Sequence, residues 1–395
     1  MVASGNLVVT REDTSPAQAK PFRIKRDLIV ALNEAAMRYW HRRLLRTPHA
    51  LEYLASRGFA DPEALAIKYQ IGYAPTREDG GRGFVLDLMR RGRFPGIEDR
   101  DQLERVLLAA GLAKRVGKSG RLVDFFYGRL VFPIVDRGTL ADLRTMGAQV
   151  VGFGGRWVPR SDPASAEKGD SERRSPPKWL NTPETPIFKK KSILYGFSWG
   201  YEAIKASRQV ILLEGYLDVI QAHEAGFHEA VATLGTSLTS EHIAKLPPST
   251  QRKRLSVLIC TDDDPAGHRS AYRSAALIFK ERPDAAVRIA RPPQGLDPDD
   301  LIRLHGPEAF RQILDTAMSP VARYLADSPP GRSAAGLAGL IEDGRALRGR
   351  LSPNPTERIE DLKAVHRWLR EHHGVVVPVH TLDVILRGSP SFEES

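Results

Sequence analysis

Cysteine is nearly absent from this 395-residue chain, with Cys260 the only one. A disulfide framework is thereby excluded, and so is a cysteine-rich zinc ribbon within these residues. No apolar run approaches the roughly 20 residues that a membrane helix needs. The N-terminus lacks the charged-then-apolar pattern of a signal peptide. No Gly-x4-Gly-Lys-Ser/Thr loop occurs, which leaves out ATPase modules built on one. No repeat of fixed period is apparent. The expectation is a cytoplasmic protein with no membrane partner.

Basic charge, by contrast, is plentiful. Lysine and arginine number 58 against 48 acidic residues, a formal net charge of +10. Such an excess is the usual footprint of a polyanion partner, because each cation placed on a phosphate releases counterions. Apolar residues at 42% suit an ordinary soluble fold with at least one well-buried core.

Residues 1–26 are polar and without period and read as a flexible tail. Helical spacing then runs from Asp27 to Leu45, from Ala50 to Arg57 behind Pro48, and from Pro62 to Tyr69. These read as core helices without chemistry. After further helical periodicity over 84–112 the texture changes. Leu130–Val135 and Val150–Gly155 read as strands, and 159–177 has the composition of a surface loop. Lys178-Trp179-Leu180-Asn181 and the triple lysine Lys189-Lys190-Lys191 interleave cations with aromatics, a texture suited to phosphate contact and base stacking.

Apolar runs Val210–Leu213, Ala230–Leu234, Leu255–Cys260 and Ala286–Ala290 alternate with helical patterns, which predicts βαβ units and parallel strands. Ligands gather beyond the carboxyl ends of such strands. The first run stops at Glu214-Gly215 and the third at Thr261-Asp262-Asp263-Asp264. Asp218 lies just inside the following helix, and Asp297-Pro298-Asp299-Asp300 closes a later loop. Each acid has a structural explanation: Asp264 and Asp297 precede proline as helix caps do, and Asp218 complements a helix N-terminus. Glu214 has no such reason for its place. If the strand continued, Asp262 and Asp264 would point one way and Asp263 the other. So many carboxylates at one edge repel unless cations neutralise them. With oxygen donors only, Mg²⁺ or Mn²⁺ is favoured over zinc, and a pair of such ions serves phosphoryl transfer.

Glu214-Gly215-Tyr216-Leu217-Asp218 and Asp262-Asp263-Asp264-Pro265-Ala266-Gly267 resemble the two signatures of the TOPRIM fold, shared by primases, topoisomerases and some nucleases. The flanking stretches narrow the resemblance to the DnaG-type primases of bacteria and phages. They are Tyr53-Leu54, Arg57-Gly58, Ile71–Pro75, Arg129–Ile134, Gly152–Arg156, Pro177–Thr185, Phe188, Lys190, Leu194-Tyr195-Gly196, Ala232–Ser237 and Leu296–Leu301. The resemblance covers roughly residues 30 to 330. It implies an α/β fold in which a TOPRIM parallel sheet (208–305) is flanked by an α+β N-terminal subdomain with a basic ridge (27–207) and a C-terminal helical bundle (306–395).

The implied activity is synthesis of short RNA primers on a single-stranded DNA template, with NTPs as substrates, an RNA–DNA hybrid as product and a replicative helicase as a further partner. By the same resemblance Glu214, Asp262 and Asp264 are catalytic and hold metal, supported by Asp218, Asp297 and Asp299. Arg129, Arg156, Lys178 and Lys190 fall on the ridge that contacts template and nucleotide. Two departures stand out. Asp263 occupies a position where the family has a small residue, usually glycine. The residues for the family's zinc module are not in this chain, so no zinc is expected here, and a separate helicase-binding domain is expected to be absent or reduced. A TOPRIM nuclease or topoisomerase relative, or a non-catalytic single-stranded-DNA-binding regulator of the same fold, are the alternatives.

Overall fold

The computed structural model describes residues 24–80, 82–145, 147–159, 176–293, 295–327, 350–373 and 376–387. Most of the expected tail and most of the loop 159–177 lie outside the described residues.

The N-terminal part is built around one aromatic residue. Helix α1 (Arg26–Leu44) places Trp40 with no exposed surface, its ring edge-on to Phe84, Phe126 and Phe153. Close approach fixes this packing: a Cβ at Gly72 would lie 2.7 Å from the Trp40 backbone carbon. Helices α2 (Pro48–Ser56) and α3 (Pro62–Tyr69) follow, the second capped by Asp61, which accepts from the Ala64 amide. An antiparallel sheet then runs in the order β1 (Gly72–Ala74), β4 (Arg129–Arg137), β5 (Gln149–Trp157) and β6 (Trp179–Asn181). Helices α4 (Phe84–Arg91) and α5 (Arg100–Ala109) occupy the periodic stretch between β1 and β4. They are followed by a two-stranded hairpin of β2 (Ala113–Val116) and β3 (Arg121–Asp124) that the periodicity did not announce. Glycines at 117 and 120, both at positive φ, make its turn. Helix α6 (Leu140–Thr145) occupies part of the 139–149 connection between β4 and β5.

Helix α7 (Phe197–Ser207) leads into the second sheet, whose order is β10 (Ala286–Ala290), β9 (Ser256–Cys260), β7 (Gln209–Leu213), β8 (Ala230–Ala232). Every neighbouring pair is parallel, as the alternation predicted. The crossovers include α8 (Tyr216–Glu224), α9 (Ser240–Ala244) and α10 (Pro265–Glu281). Helix α8 is buried from Tyr216 to His223, Asp218, Gln221 and His223 included. It packs on α11 (Pro298–Asp315), kinked at Gly306-Pro307.

The two sheets share one apolar cluster running from Ile29 to Ala317. The connection between them adds an isolated bridge to β8, where Tyr195 and Ala232 exchange both hydrogen bonds, at 2.8 and 3.1 Å. Helices α12 (Pro320–Asp327), α13 (Pro355–His373) and α14 (Val379–Arg387) carry a smaller core of their own around Leu325, Val365 and Leu382.

Candidate metal and nucleotide site

Strands β7 and β9 are neighbours with Leu212 opposite Ile259, so their carboxyl ends deliver acids to the same edge. Glu214 leaves β7 and is followed at once by the N-terminus of α8. There Asp218 turns back and accepts from the Gly215 amide at 2.8 Å. Strand β9 stops at Cys260, so the period-two expectation for Asp262 and Asp264 does not hold. A tight turn replaces the strand, with the Asp264 amide donating to the Asp262 carbonyl at 2.9 Å. The turn is pinned from behind, because Gly267 sits where a Cβ would come within 2.3 Å of that carbonyl oxygen. Asp264 caps α10 and accepts from the Ala266 and Gly267 amides. Asp297 caps α11 by accepting from the Asp300 amide at 2.6 Å. Both proline-preceding aspartates therefore do cap helices. Asp297 also faces the site; Asp264 does not line its cavity.

That cavity, about 250 Å³, brings Glu214, Asp218, Asp262, Asp297 and Asp299 together with Arg57, Arg156 and Lys178. One carboxylate oxygen from each of Asp218, Asp297 and Asp299 falls within 4.8 Å of the others. Burial and mutual repulsion raise these acids. Burial first, then Asp262 and Asp264, pushes Glu214 up to about 7. Burial, Asp297 and Asp264 push Asp262 up to about 6 against the pull of Lys178. Asp218 is driven well above the carboxylate range by burial and then by Asp297, Asp262 and Asp299. Burial also raises Asp299, opposed by Arg57. Glu214 Oε1 and Asp299 Oδ1 are buried without a hydrogen-bond partner. Orphaned carboxylate oxygens in an all-oxygen cluster fit a hard divalent cation.

Arg57 stands among the stretches that carry the resemblance, but sequence reasoning assigned it no role in the site. It stands at the end of α2, a helix read as mere core, and its guanidinium donates to the 1%-exposed Asp299. Helical spacing marks a face but cannot tell that the last residue of that face reaches a loop far along the chain. The cation wall also departs in part from expectation. Arg156 lies on the cavity, its Nε donating to the Tyr53 hydroxyl at 2.7 Å and its guanidinium over the Trp179 ring. Trp179 stacks on Tyr216, whose hydroxyl donates to Asn181. Lys178 is exposed at the cavity mouth. Arg129, however, is only 3% exposed and donates to the Gly155 and Pro177 carbonyls. It braces β5 and the segment before β6 and is no free ridge residue. Lys190 lies away from the cavity, in a 3-10 turn whose carbonyl contacts His242.

Asp263 turns away from the cavity, towards His268 at 2.8 Å and Arg291 at 3.7 Å. The added charge therefore stays out of the acid cluster.

Comparison with known proteins agrees with this geometry. The family model described as the DNA primase catalytic core, N-terminal domain, matches residues 39–200, and a Toprim-like model matches 211–302. The DNA primase of Listeria monocytogenes is 34% identical over 293 residues, covering 72% of this chain and 39% of that protein. That of Pseudomonas putida is 31% identical over 358 residues, or 89% and 46%. The chain thus spans less than half the length of the curated relatives it matches. Among solved structures, the RNA polymerase domain of Mycobacterium tuberculosis primase aligns with a TM-score of 0.66 at 27% identity, covering 87% of this chain and 99% of that one. A DnaG primase catalytic domain bound to single-stranded DNA aligns at 0.64 and 28%, covering 87% and 98%. The Toprim match and the buried acidic cluster are consistent with a divalent-metal site. With both signature regions matched and the catalytic cores superposing over most of its length, the chain belongs to the DnaG-type primase family and comprises its catalytic core.

Proposed function

We propose that the protein synthesises short RNA primers on single-stranded DNA, joining a primer 3′-hydroxyl to the α-phosphate of an NTP with release of pyrophosphate. The observation that carries this reading is the opposition, across one cavity, of five acids and the cations Arg156 and Lys178. Residues 27–207 supply the cation wall, 208–305 the carboxylates, and 306–395 the helical unit beyond them.

Mg²⁺ or Mn²⁺ held by Glu214, Asp262, Asp218, Asp297 and Asp299 would neutralise phosphate charge and clamp the attacking and leaving oxygens. Glu214, with its acidity shifted to about 7, is suited to take the proton of the primer hydroxyl near neutral pH. Asp264 keeps the turn closed, so that Asp262 is presented in one orientation. Lys178 and Arg156 offer fixed positive charge to the triphosphate and the template backbone. Arg156 is held by Tyr53 and Trp179, so little reorganisation accompanies binding. Lys190 serves a more distant part of the template path, and Arg129 acts indirectly by bracing β5, which carries Arg156, and the segment before β6, which carries Lys178. Single-stranded DNA, NTPs and the RNA–DNA hybrid are the expected partners, a replicative helicase a further one, and the cytoplasmic replication fork the place of action.

The test is incubation with single-stranded DNA, labelled NTPs and Mg²⁺ or Mn²⁺, beside the Glu214→Gln variant. Short RNA products that vanish in the variant support the proposal. Cleavage of the DNA would instead assign a nuclease, and binding with neither product would assign a regulator.

A further inference from the structure

Asp263 adds a charge where the family pattern has a small residue, and the role proposed above makes no use of it. Its carboxylate enters a chain of ionic contacts that leads away from the site. Asp263 Oδ1 meets His268 of α10 and the Nε of Arg291, the residue that follows β10. The other end of the Arg291 guanidinium holds Asp327, the last residue of α12, at 2.5 Å. Asp327 is itself gripped by the Tyr272 hydroxyl at 2.7 Å and by Arg323 at 3.6 Å. Arg291 is 15% exposed and Asp263 12%, so neither charge is dissolved in bulk water. Removing either carboxylate leaves this mostly buried guanidinium less well compensated.

The backbone reinforces the link. Ile289 in β10 exchanges both hydrogen bonds with Met318, which precedes α12, at 2.7 and 3.1 Å. The start of α12 is thus tied to the sheet edge by main chain, while its far end is tied by Arg291 to the turn that presents Asp262. That turn is also held by the Asp264 cap, by the Thr261 hydroxyl, which donates to the Gly267 carbonyl at 3.1 Å, and by the packing of Gly267 against the Asp262 carbonyl.

We infer that Asp263, Arg291 and Asp327 form a clasp through which the C-terminal helices set the position of the Asp262 carboxylate, making all three positioning residues. The clasp explains why an acid is tolerated at 263: it faces a cation supplied by the next strand and does not load the acid cluster. It also makes metal binding at Asp262 depend on the seating of α12, whose contacts lie on the opposite side of the turn from the cavity. The inference rests on the metal-site reading above, and its test is independent of primer synthesis.

Two readouts on the full chain decide it. Amide hydrogen exchange of residues 261–267 in Asp327→Asn should quicken on the order of tenfold, with β7 and β8 unchanged. Mn²⁺ binding, followed by the electron paramagnetic resonance of the free ion, should weaken on the order of tenfold, the scale of lost second-sphere support. Asp263→Gly cuts the clasp at its other end, so Asp327→Asn added to it should weaken Mn²⁺ binding no further. Asp327→Glu, which keeps the charge, should recover most of the affinity. Unchanged exchange in the turn, or effects of the two substitutions that multiply, would overturn the inference. Absence of primer synthesis by the unsubstituted chain, with these readouts as expected, would instead count against the primase reading alone.

Discussion

Arg57 and Asp299 lie 242 positions apart in sequence and are joined by a hydrogen bond inside the acid cluster. Arg57 brings a fixed positive charge to carboxylates that otherwise depend on bound ions. It opposes the upward push that burial gives the pKa of Asp299, yet leaves Asp299 Oδ1 unpartnered.

Replacing Arg57 by methionine should therefore destabilise the metal-free protein by about 3 kcal/mol, the low end for breaking a buried pair. Urea unfolding at pH 7 measures it. Adding Asp299→Asn should recover part of the loss, because no uncompensated charge then remains. Mn²⁺ should raise the melting temperature of Arg57→Met more than that of the parent, since the ion replaces the missing charge.

The upward shifts of the Glu214 carboxyl, to about 7, and the Asp262 carboxyl, to about 6, fix the sign of a pH effect. Between roughly pH 4 and 7 the folded protein keeps protons that the unfolded chain releases, so metal-free stability should fall as pH rises through that window. Divalent ions need the carboxylates ionised, so their affinity should climb over the same range with proton release. Calorimetry at pH 6 in buffers of different ionisation enthalpy would detect roughly one proton released for each ion bound. A stability profile that rises from pH 4 to 7 without metal would contradict this assignment.

Gly267→Ala should affect the site through the backbone. The new Cβ meets the Asp262 carbonyl oxygen at 2.3 Å, and a main-chain atom yields poorly. About 1–3 kcal/mol of stability should be lost, while Mn²⁺ affinity falls on the order of tenfold or more. Ala266→Gly, one residue earlier, serves as the control.

Two basic residues that the sequence groups together should separate in experiment. Lys178→Ala is expected to weaken single-stranded DNA binding and to reduce its log–log salt slope by about 0.7. Arg129→Ala should leave that slope as it is and cost about 2 kcal/mol, because the Gly155 and Pro177 carbonyls lose their donor. Fluorescence anisotropy over a salt series, paired with thermal melts, distinguishes the two.

The parallel sheet was legible because Val210–Leu213, Leu255–Cys260 and Ala286–Ala290 are short apolar runs with polar stops, and each stop is where a strand ends. The capping roles of Asp264 and Asp297 were legible from the proline that follows each. Arg57 was not, since its partner is set by tertiary packing and α2 looks like any core helix. Arg129 misled because its type suits a phosphate contact, whereas its exposure depends on strands β5 and β6 closing over it. Asp263 pointed outward as expected, though a turn and not a continued strand aims it.

The cluster draws its cation from a helix laid down at the very beginning of the fold and its acids from a sheet much later in the chain. Excising residues 208–305 as a free-standing unit would keep every carboxylate and leave Asp299 without its guanidinium. Such a fragment should be less able than the whole chain to fold without divalent ions. The centre thus belongs to two parts of the protein jointly, and neither could be exchanged between relatives without the other.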